Sequence, residues 1–161
     1  MTKMRFLSRK IIKFSFDFSV SAIEKFYDMK PYNQKVEKLR ELPKGTLGND
    51  IAKILDENKV KLIPNYESHD LKHVLLNYGM NAEDEIRMQA FMLGNGNYTF
   101  PCIAILTFGT ILLPGMWSTF YKDYKRGKNA KPISSWSIDK YAEIETNLLR
   151  YELSIQNQSK W

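Results

Sequence analysis

The sequence predicts an all-α fold: a single-domain helical bundle with a metal-binding helical hairpin near its middle. Apolar residues recur at i, i+3, i+4 and i+7 in segment after segment, while period-two alternation is confined to Phe14–Ser19. Capping residues and glycine breaks punctuate these segments at helix-length intervals. The 161 residues, 43% hydrophobic and 26% charged, have globular composition and the size of one domain, 1–161.

In chain order, residues 10–29 read as mainly helix, with Val20, Ile23, Phe26 and Tyr27 at helical spacing and the aromatic cluster as ordinary core. Residues 33–42 support a short charged helix at most. Thr46 is the predicted N-cap of a helix over 47–58, whose stripe is Leu47, Ile51, Ile54 and Leu55. A loop over 59–65, closed by Pro64, delivers the chain to a helix over 66–78. Gly79 is its expected left-handed stop. Asn81 is the expected N-cap of a helix over 82–93, with Glu83 and Asp84 favouring its first turn.

Gly94-Asn95-Gly96-Asn97 reads as a turn. Beyond it, residues 101–113 are the most apolar stretch, and no charge occurs from Met88 to Tyr121. A membrane span needs about 20 apolar residues. The 98–120 stretch approaches that length, but Thr107, Gly109, Thr110, Pro114 and Gly115 interrupt it, so a buried helix is the expectation. An aromatic helix follows over Met116–Tyr124, ended by Gly127. Ser137 then caps a final helix over 138–155, with Tyr141, Ile144, Leu148 and Leu149 inward.

The helix over 66–78 carries the chain's two histidines, His69 and His73, one turn apart on one face. Asp70 lies about 100° from His69 and about 60° from His73, within the same arc. Leu71, Val74, Leu75 and Tyr78 occupy the opposite arc and should face the core, which leaves the histidines outside the main apolar seam. The short connection to the next helix implies an antiparallel pair. Counted from the turn, His73 stands roughly 9 Å along its helix and Glu85 roughly 6 Å along the next. His69, Asp70, His73 and Glu85 are therefore candidate ligands of a divalent metal. Mixed nitrogen and oxygen donors suit zinc first, with iron or manganese as alternatives, and imidazole suits magnesium poorly. Solvated histidines beside ordinary acids are the bland alternative, and the placement of Asp70 and Glu85 weighs against it.

Rival chemistries fit less well. A zincin requires Glu where Asp70 stands, and a His-Asp phosphohydrolase requires a histidine before His69. Cys102 has no local base, and as the one cysteine it excludes an intramolecular disulfide and a multi-cysteine zinc site. No Ser-His-Asp order, P-loop or dinucleotide fingerprint is present, and no catalytic residue is identified beyond the metal ligands. The net charge of +6 is compatible with nucleic acid, an anionic membrane or phosphate-bearing ligands. Its densest run is Lys3, Arg5, Arg9, Lys10 and Lys13, and without a nucleic-acid signature no nucleic-acid partner is expected.

His69-Asp70-x-x-His73, eleven residues, then Glu85 resembles the signature of the ubiquinone biosynthesis Coq-four family. Gly45-Thr46-Leu47-Gly48 resembles that family's upstream Gly-x-Leu-Gly segment. Gly127-Lys128-Asn129-Ala130-Lys131-Pro132-Ile133 resembles its downstream Gly-x-x-Ala-Lys-Pro-Leu segment. The likeness covers 43–155, with 1–42 as an N-terminal helical extension. It implies that His69, Asp70, His73 and Glu85 hold a metal with open coordination positions. It further implies oxidative C1 decarboxylation of a polyprenylated benzoic-acid precursor, with hydroxylation at that carbon. A non-catalytic prenyl-lipid-binding scaffold that organises a quinone-biosynthesis complex is the alternative.

On this resemblance the face of Glu85, Met88, Gln89 and Met92, which spacing alone reads as helix packing, would line a pocket for a polyisoprenoid tail, walled by 101–113. The implied partners are a polyisoprenoid quinone precursor, other quinone-biosynthesis proteins and a membrane touched peripherally, and a homo-oligomer is compatible. Asp17, Glu24, Asp28, Glu37 and Glu41 make the first forty or so residues read as folded chain rather than an import leader. The expected location is a bacterial cytoplasm, peripheral on the inner face of the membrane, with the basic N-terminus supplying electrostatic attraction.

Overall fold

In a computed structural model, residues 27–155 are described. The all-α expectation holds: among these residues there are eight α-helices and no strand, the one extended pairing being an isolated bridge between Thr46 and Glu145. The helices are α1 (Lys30–Glu41), α2 (Leu47–Asn58), α3 (Glu67–Leu76), α4 (Ala82–Gly94), α5 (Phe100–Leu112), α6 (Trp117–Asn129), α7 (Ile138–Tyr141) and α8 (Thr146–Glu152). A 3₁₀ turn, Pro114–Met116, joins α5 to α6. The predicted helix over 10–29 lies outside the described residues except at 27–29, which are not helical.

Local signals set several boundaries. α1 begins before the predicted residue 33 because Pro31 falls in its first turn, where a missing N–H costs nothing. Thr46 caps α2 as expected, accepting from the Asn49 N–H at 3.4 Å. Asn81 caps α4, accepting from the Glu83 and Asp84 N–H groups, both at 3.0 Å. The stop of α3 differs from expectation. Asn77 takes the left-handed conformation (φ 61°), so the helix ends two residues before Gly79. Asparagine tolerates that region because its short polar side chain costs little there. Tyr78 thus leaves the helix yet remains buried.

The predicted helix over 138–155 is broken into α7 and α8, and Ser137 makes no side-chain cap. Residues 142–145 serve the head of α2 instead. Leu47 N–H donates to the Ile144 carbonyl (2.9 Å) and Gly48 N–H to that of Ala142 (2.8 Å). First-turn N–H groups have no partner within their own helix, and this returning segment satisfies two of them.

One main core joins Leu47, Ile51 and Leu55 of α2, Leu71 and Leu75 of α3, Met88, Phe91 and Met92 of α4, and Ile133, Ile138 and Leu149 downstream. Ile86, Ala90, Leu113 and Phe120 form a second, smaller cluster. The backbones of α4 and α6 meet very closely. A Cβ on Gly94 would lie 2.0 Å from the Tyr124 carbonyl oxygen, and one on Gly127 would lie 2.0 Å from that of Phe91. Gly127 therefore does not end its helix, as its residue type suggested, but admits a neighbour within the last turn. Asn95 adds a clasp: its Nδ2 donates to the carbonyls of Gly127, Ala130 and Lys131, and its Oδ1 accepts from the Ile133 N–H.

α5 contradicts the buried-helix expectation. Only Cys102 and Gly109 are buried along it, while Phe108 is 51% and Ile111 70% exposed. No single described helix is long and apolar enough to cross a membrane, and α5 meets the Pro114–Asn129 stretch at a bend of 107°.

Replacing Gly127 by alanine forces α4 from α6 and should destabilise the protein by about 2–3 kcal/mol, read from denaturant midpoints. An unchanged midpoint would show that the crossing can relax.

Candidate metal centre

The candidate site depends on how the α3–α4 hairpin is held. Arg126 Nη2 donates to the Leu76 carbonyl (2.7 Å), and Arg150 donates to those of Leu75 (3.0 Å) and Val74 (2.7 Å). Two guanidinium groups thus satisfy the last turn of α3 and set positive charge at the negative end of its dipole. Across the turn, the Tyr78 hydroxyl donates to Asp123 Oδ1 (2.8 Å), and Arg87 Nε donates to Asp123 Oδ2 (2.8 Å). Arg87 Nη1 reaches Asp84 Oδ1 (3.0 Å), and Asp84 Oδ2 accepts from the Gly79 N–H (3.1 Å). This network ties the hairpin to α6 on both sides of the turn.

The result brings together His69, His73 and Glu85. One ligand-capable atom from each lies within 4.8 Å of the others. His69 Nε2 is 3.1 Å from both Glu85 oxygens, and His73 Nε2 is 3.3 Å from Oε2. The imidazoles meet edge to face, with centroids 4.6 Å apart. Asp70, the fourth expected ligand, lies outside this trio: its carboxylate sits 3.6 Å from the other ring nitrogen of His69, Nδ1. It thus stands, beyond direct hydrogen-bond distance, on the side of the ring where supporting carboxylates of metal-bound histidines are found.

Gln89, one turn beyond Glu85, donates Nε2 to Glu85 Oε1 at 2.8 Å and holds that carboxylate towards the histidines. Its spacing was visible in the sequence, but amphipathic spacing could not separate a supporting polar group from a packing residue. Asp123 and the two arginines gave no comparable signal, because their partners are 36 to 76 residues away.

Two expectations about the surroundings change. His73 is only 3% exposed, so it is not outside the apolar interior, because α4 covers the arc that the core stripe of α3 leaves free. Met88, Gln89 and Met92 are buried as well. The packing reading of that face holds: among the described residues these side chains are buried and present no open greasy surface there. A cleft of about 230 Å³ with a mixed lining, Lys53, Glu57 and Arg150 beside Ile54 and Val74, borders His73. Cys102 donates weakly to the Gln89 carbonyl (3.5 Å), and burial pushes its thiol up, consistent with a structural role. Burial pushes the Lys72 ammonium down.

Burial by itself would push His69 down, but the Asp70 and Glu85 carboxylates on either side outweigh it and lift the imidazole to about 9. Burial would likewise raise Glu85, yet its bonds to the two histidines hold it well below the usual carboxylate range. Without metal, Asp70 at one ring nitrogen and Glu85 at the other thus favour the charged form of His69. The residues fit a divalent metal: two imidazole nitrogens and a carboxylate oxygen converge, and His73 Nδ1 is buried without a hydrogen-bond partner among the described residues. This donor set suits zinc, iron or manganese.

Metal uptake must displace the His69 proton, so zinc affinity should rise about tenfold per pH unit between about pH 6.5 and 9. Titration calorimetry in buffers of different ionisation enthalpy should register one proton released, and a pH-independent affinity would contradict the arrangement. The sign for folding is opposite. Because the folded imidazole is raised above its ordinary value of 6.5, its contribution to stability is complete below pH 6.5 and lost as pH rises through about 9. The melting temperature of the metal-free protein should fall across that window. Gln89→Ala should weaken metal binding about 10–100-fold, measured by competition with a chelating dye.

No protein-family model matches the chain. It is 27% identical over 144 residues to "Ubiquinone biosynthesis protein COQ4, mitochondrial" of Clavispora lusitaniae, a match covering 75% of this chain and 45% of that protein. The chain thus spans less than half the length of that relative. Its fold is shared with a crystal structure of a protein from Nostoc punctiforme provisionally described as acting in ubiquinone biosynthesis. That likeness has a TM-score of 0.63 and 20% identity, and covers 97% of this chain and 83% of the other. Identity this low establishes likeness of fold alone. The chain is thus similar in sequence to a ubiquinone biosynthesis protein, and its histidine–carboxylate trio stands at the spacing from which the resemblance to the Coq-four family was read.

Proposed function

We propose that this chain is a metal-dependent protein of quinone biosynthesis that oxidatively replaces the C1 carboxylate of a polyprenylated benzoic-acid precursor by hydroxyl: carbon dioxide leaves, dioxygen supplies the hydroxyl oxygen, and a two-electron donor reduces the second oxygen atom to water. The observation that carries the reading is the convergence of His69, His73 and Glu85 in a chain similar to a ubiquinone biosynthesis protein. His69 and His73 would bind the metal through ring nitrogens and Glu85 through a carboxylate oxygen. Asp70 and Gln89 would hold His69 and Glu85 in place. A bound divalent metal supplies positive charge to a substrate carboxylate or phenolic oxygen and to the negative charge that develops as carbon dioxide leaves.

His69, Asp70 and Glu85 are half-buried, so approach to the trio is from their side rather than across the closed surface of Met88 and Met92. The second reading is a non-catalytic prenyl-lipid-binding scaffold whose metal is structural; the burial of Met88 and Met92 takes the tail site on that face from both readings alike.

The two readings separate in one experiment. Purified protein is loaded in turn with zinc, iron(II) and manganese(II), then given a prenylated hydroxybenzoate labelled in its carboxylate, under air and with ascorbate as the electron donor. Release of labelled carbon dioxide, lost with the metal in His73→Ala, supports the enzyme. Metal and isoprenoid retained in native mass spectra without labelled gas support the scaffold. A chain that takes up no metal overturns both.

A further inference from the structure

We propose that α5, the Pro114–Met116 turn and the outer face of α6 form a bilayer-docking surface, seated in the interfacial region of a membrane containing anionic lipid. The inference deepens the proposed function by naming the surface that meets the membrane, and its test reads neither metal nor turnover.

The first observation is an apolar face that nothing in the chain covers among the described residues. Phe100, Ile103, Ile105, Phe108 and Ile111 of α5 are exposed, although the helix carries no charge. Only its narrow inner side is occupied: Gly109 is set against Ile86, and Cys102 against the Gln89 carbonyl. Exposed contiguous apolar surface of this kind marks an interaction site rather than ordinary surface. The helix is 13 residues, roughly 20 Å long, so it is too short to cross a hydrocarbon core of about 30 Å and is suited to lying in its boundary.

The second observation is the order of side chains along α6. Trp117, Tyr121, Lys125 and Lys128 follow one another at helical spacing and are all exposed. Indole comes first, beside the apolar face, then phenol, then ammonium groups. Aromatic rings prefer the headgroup level, and lysines beyond them meet anionic headgroups. Lys125 Nζ stands 4.7 Å from the Tyr121 ring centroid, joining the two zones. The indole N–H of Trp117 donates to the Thr110 carbonyl (2.7 Å), which fixes the bend between α5 and α6 and keeps the two faces in one surface.

Charge decides the occupant. The one acid on α5 and α6 is Asp123, buried and engaged by Tyr78 and Arg87. This surface therefore exposes bases and no acid, and a second copy pairing with it face to face would find no counter-charge. An anionic membrane supplies one. Because the inner side of α5 rests on α4, docking here brings the helix of Glu85 to within one helix layer of the lipid.

The test is flotation of the full chain with vesicles of phosphatidylcholine, and of phosphatidylcholine mixed with phosphatidylglycerol. The wild type should float with the mixed vesicles, and brominated lipid should quench tryptophan fluorescence that is lost in Trp117→Phe. Phe108→Asp and Ile111→Asp change exposed residues, so the far-ultraviolet spectrum should be unchanged while partition falls at least about tenfold. Lys125→Glu with Lys128→Glu should abolish the preference for phosphatidylglycerol. Partition that survives the α5 variants, as binding through the basic N-terminus would, overturns the proposal. So does a wild type that does not float but sediments as a dimer separated by those variants, since the face would then join two copies.

Discussion

The backbone contact of α4 with α6 is the constraint on which the other features rest. Gly94 and Gly127 remove the two Cβ atoms that would separate the helices, and Asn95 fastens the strand-like exit of α6 across the gap. At that separation Arg87 of α4 reaches Asp123 of α6, Tyr78 reaches the same carboxylate from the hairpin turn, and Arg126 reaches the end of α3. A wider spacing would leave Asp123 as a buried charge without partners, which is strongly unfavourable. Packing and electrostatics are therefore coupled: close contact makes the ion pairs, and the ion pairs place the hairpin.

The candidate metal centre is a consequence of that placement. Two histidines one turn apart on α3 do not make a site until a carboxylate from another helix stands opposite them. Glu85 does so because the capped start of α4 is held against α3 and α6 together. Without metal, Asp70 and Glu85 face opposite ring nitrogens of His69 and favour its protonated form, so proton and metal compete for this imidazole. Gln89 restrains Glu85 from behind by a hydrogen bond, and Asp70 sets a negative charge beside the far nitrogen of His69. The segments that resemble the family's glycine-containing stretches have architectural work here. Gly48 presents its N–H to the Ala142 carbonyl, and Gly127 admits α4.

α5 is the element on which local pattern and tertiary context part most clearly. A helix apolar all round is ordinarily buried, and this one rests on the core by a single narrow side. Cys102 joins the main core and Leu106 and Leu112 pack on the smaller cluster, while the outer faces of the helix are left uncovered among the described residues. The same helix lies on the one bearing Glu85, so the surface and the proposed chemistry are adjacent parts of one arrangement.

The sequence by itself determined the all-α class, the caps at Thr46 and Asn81, and the pairing of His69 and His73 with Glu85. Each depends on spacing along one helix or across one short turn, where local geometry is almost complete information. Only the tertiary structure decided the rest. Asn77 rather than Gly79 ends α3, since both residue types tolerate a left-handed conformation and packing of Tyr78 selects between them. Residues 142–145 leave the helix that their pattern favours because two N–H groups at the head of α2 need acceptors. Gly127 is a close-packing residue rather than a stop, and Asp123 a buried acid rather than a surface one, because their partners are distant in sequence. What α5 meets on its outer side is likewise a property of the assembled surface, since a hydrophobic run has the same letters whether protein or lipid covers it.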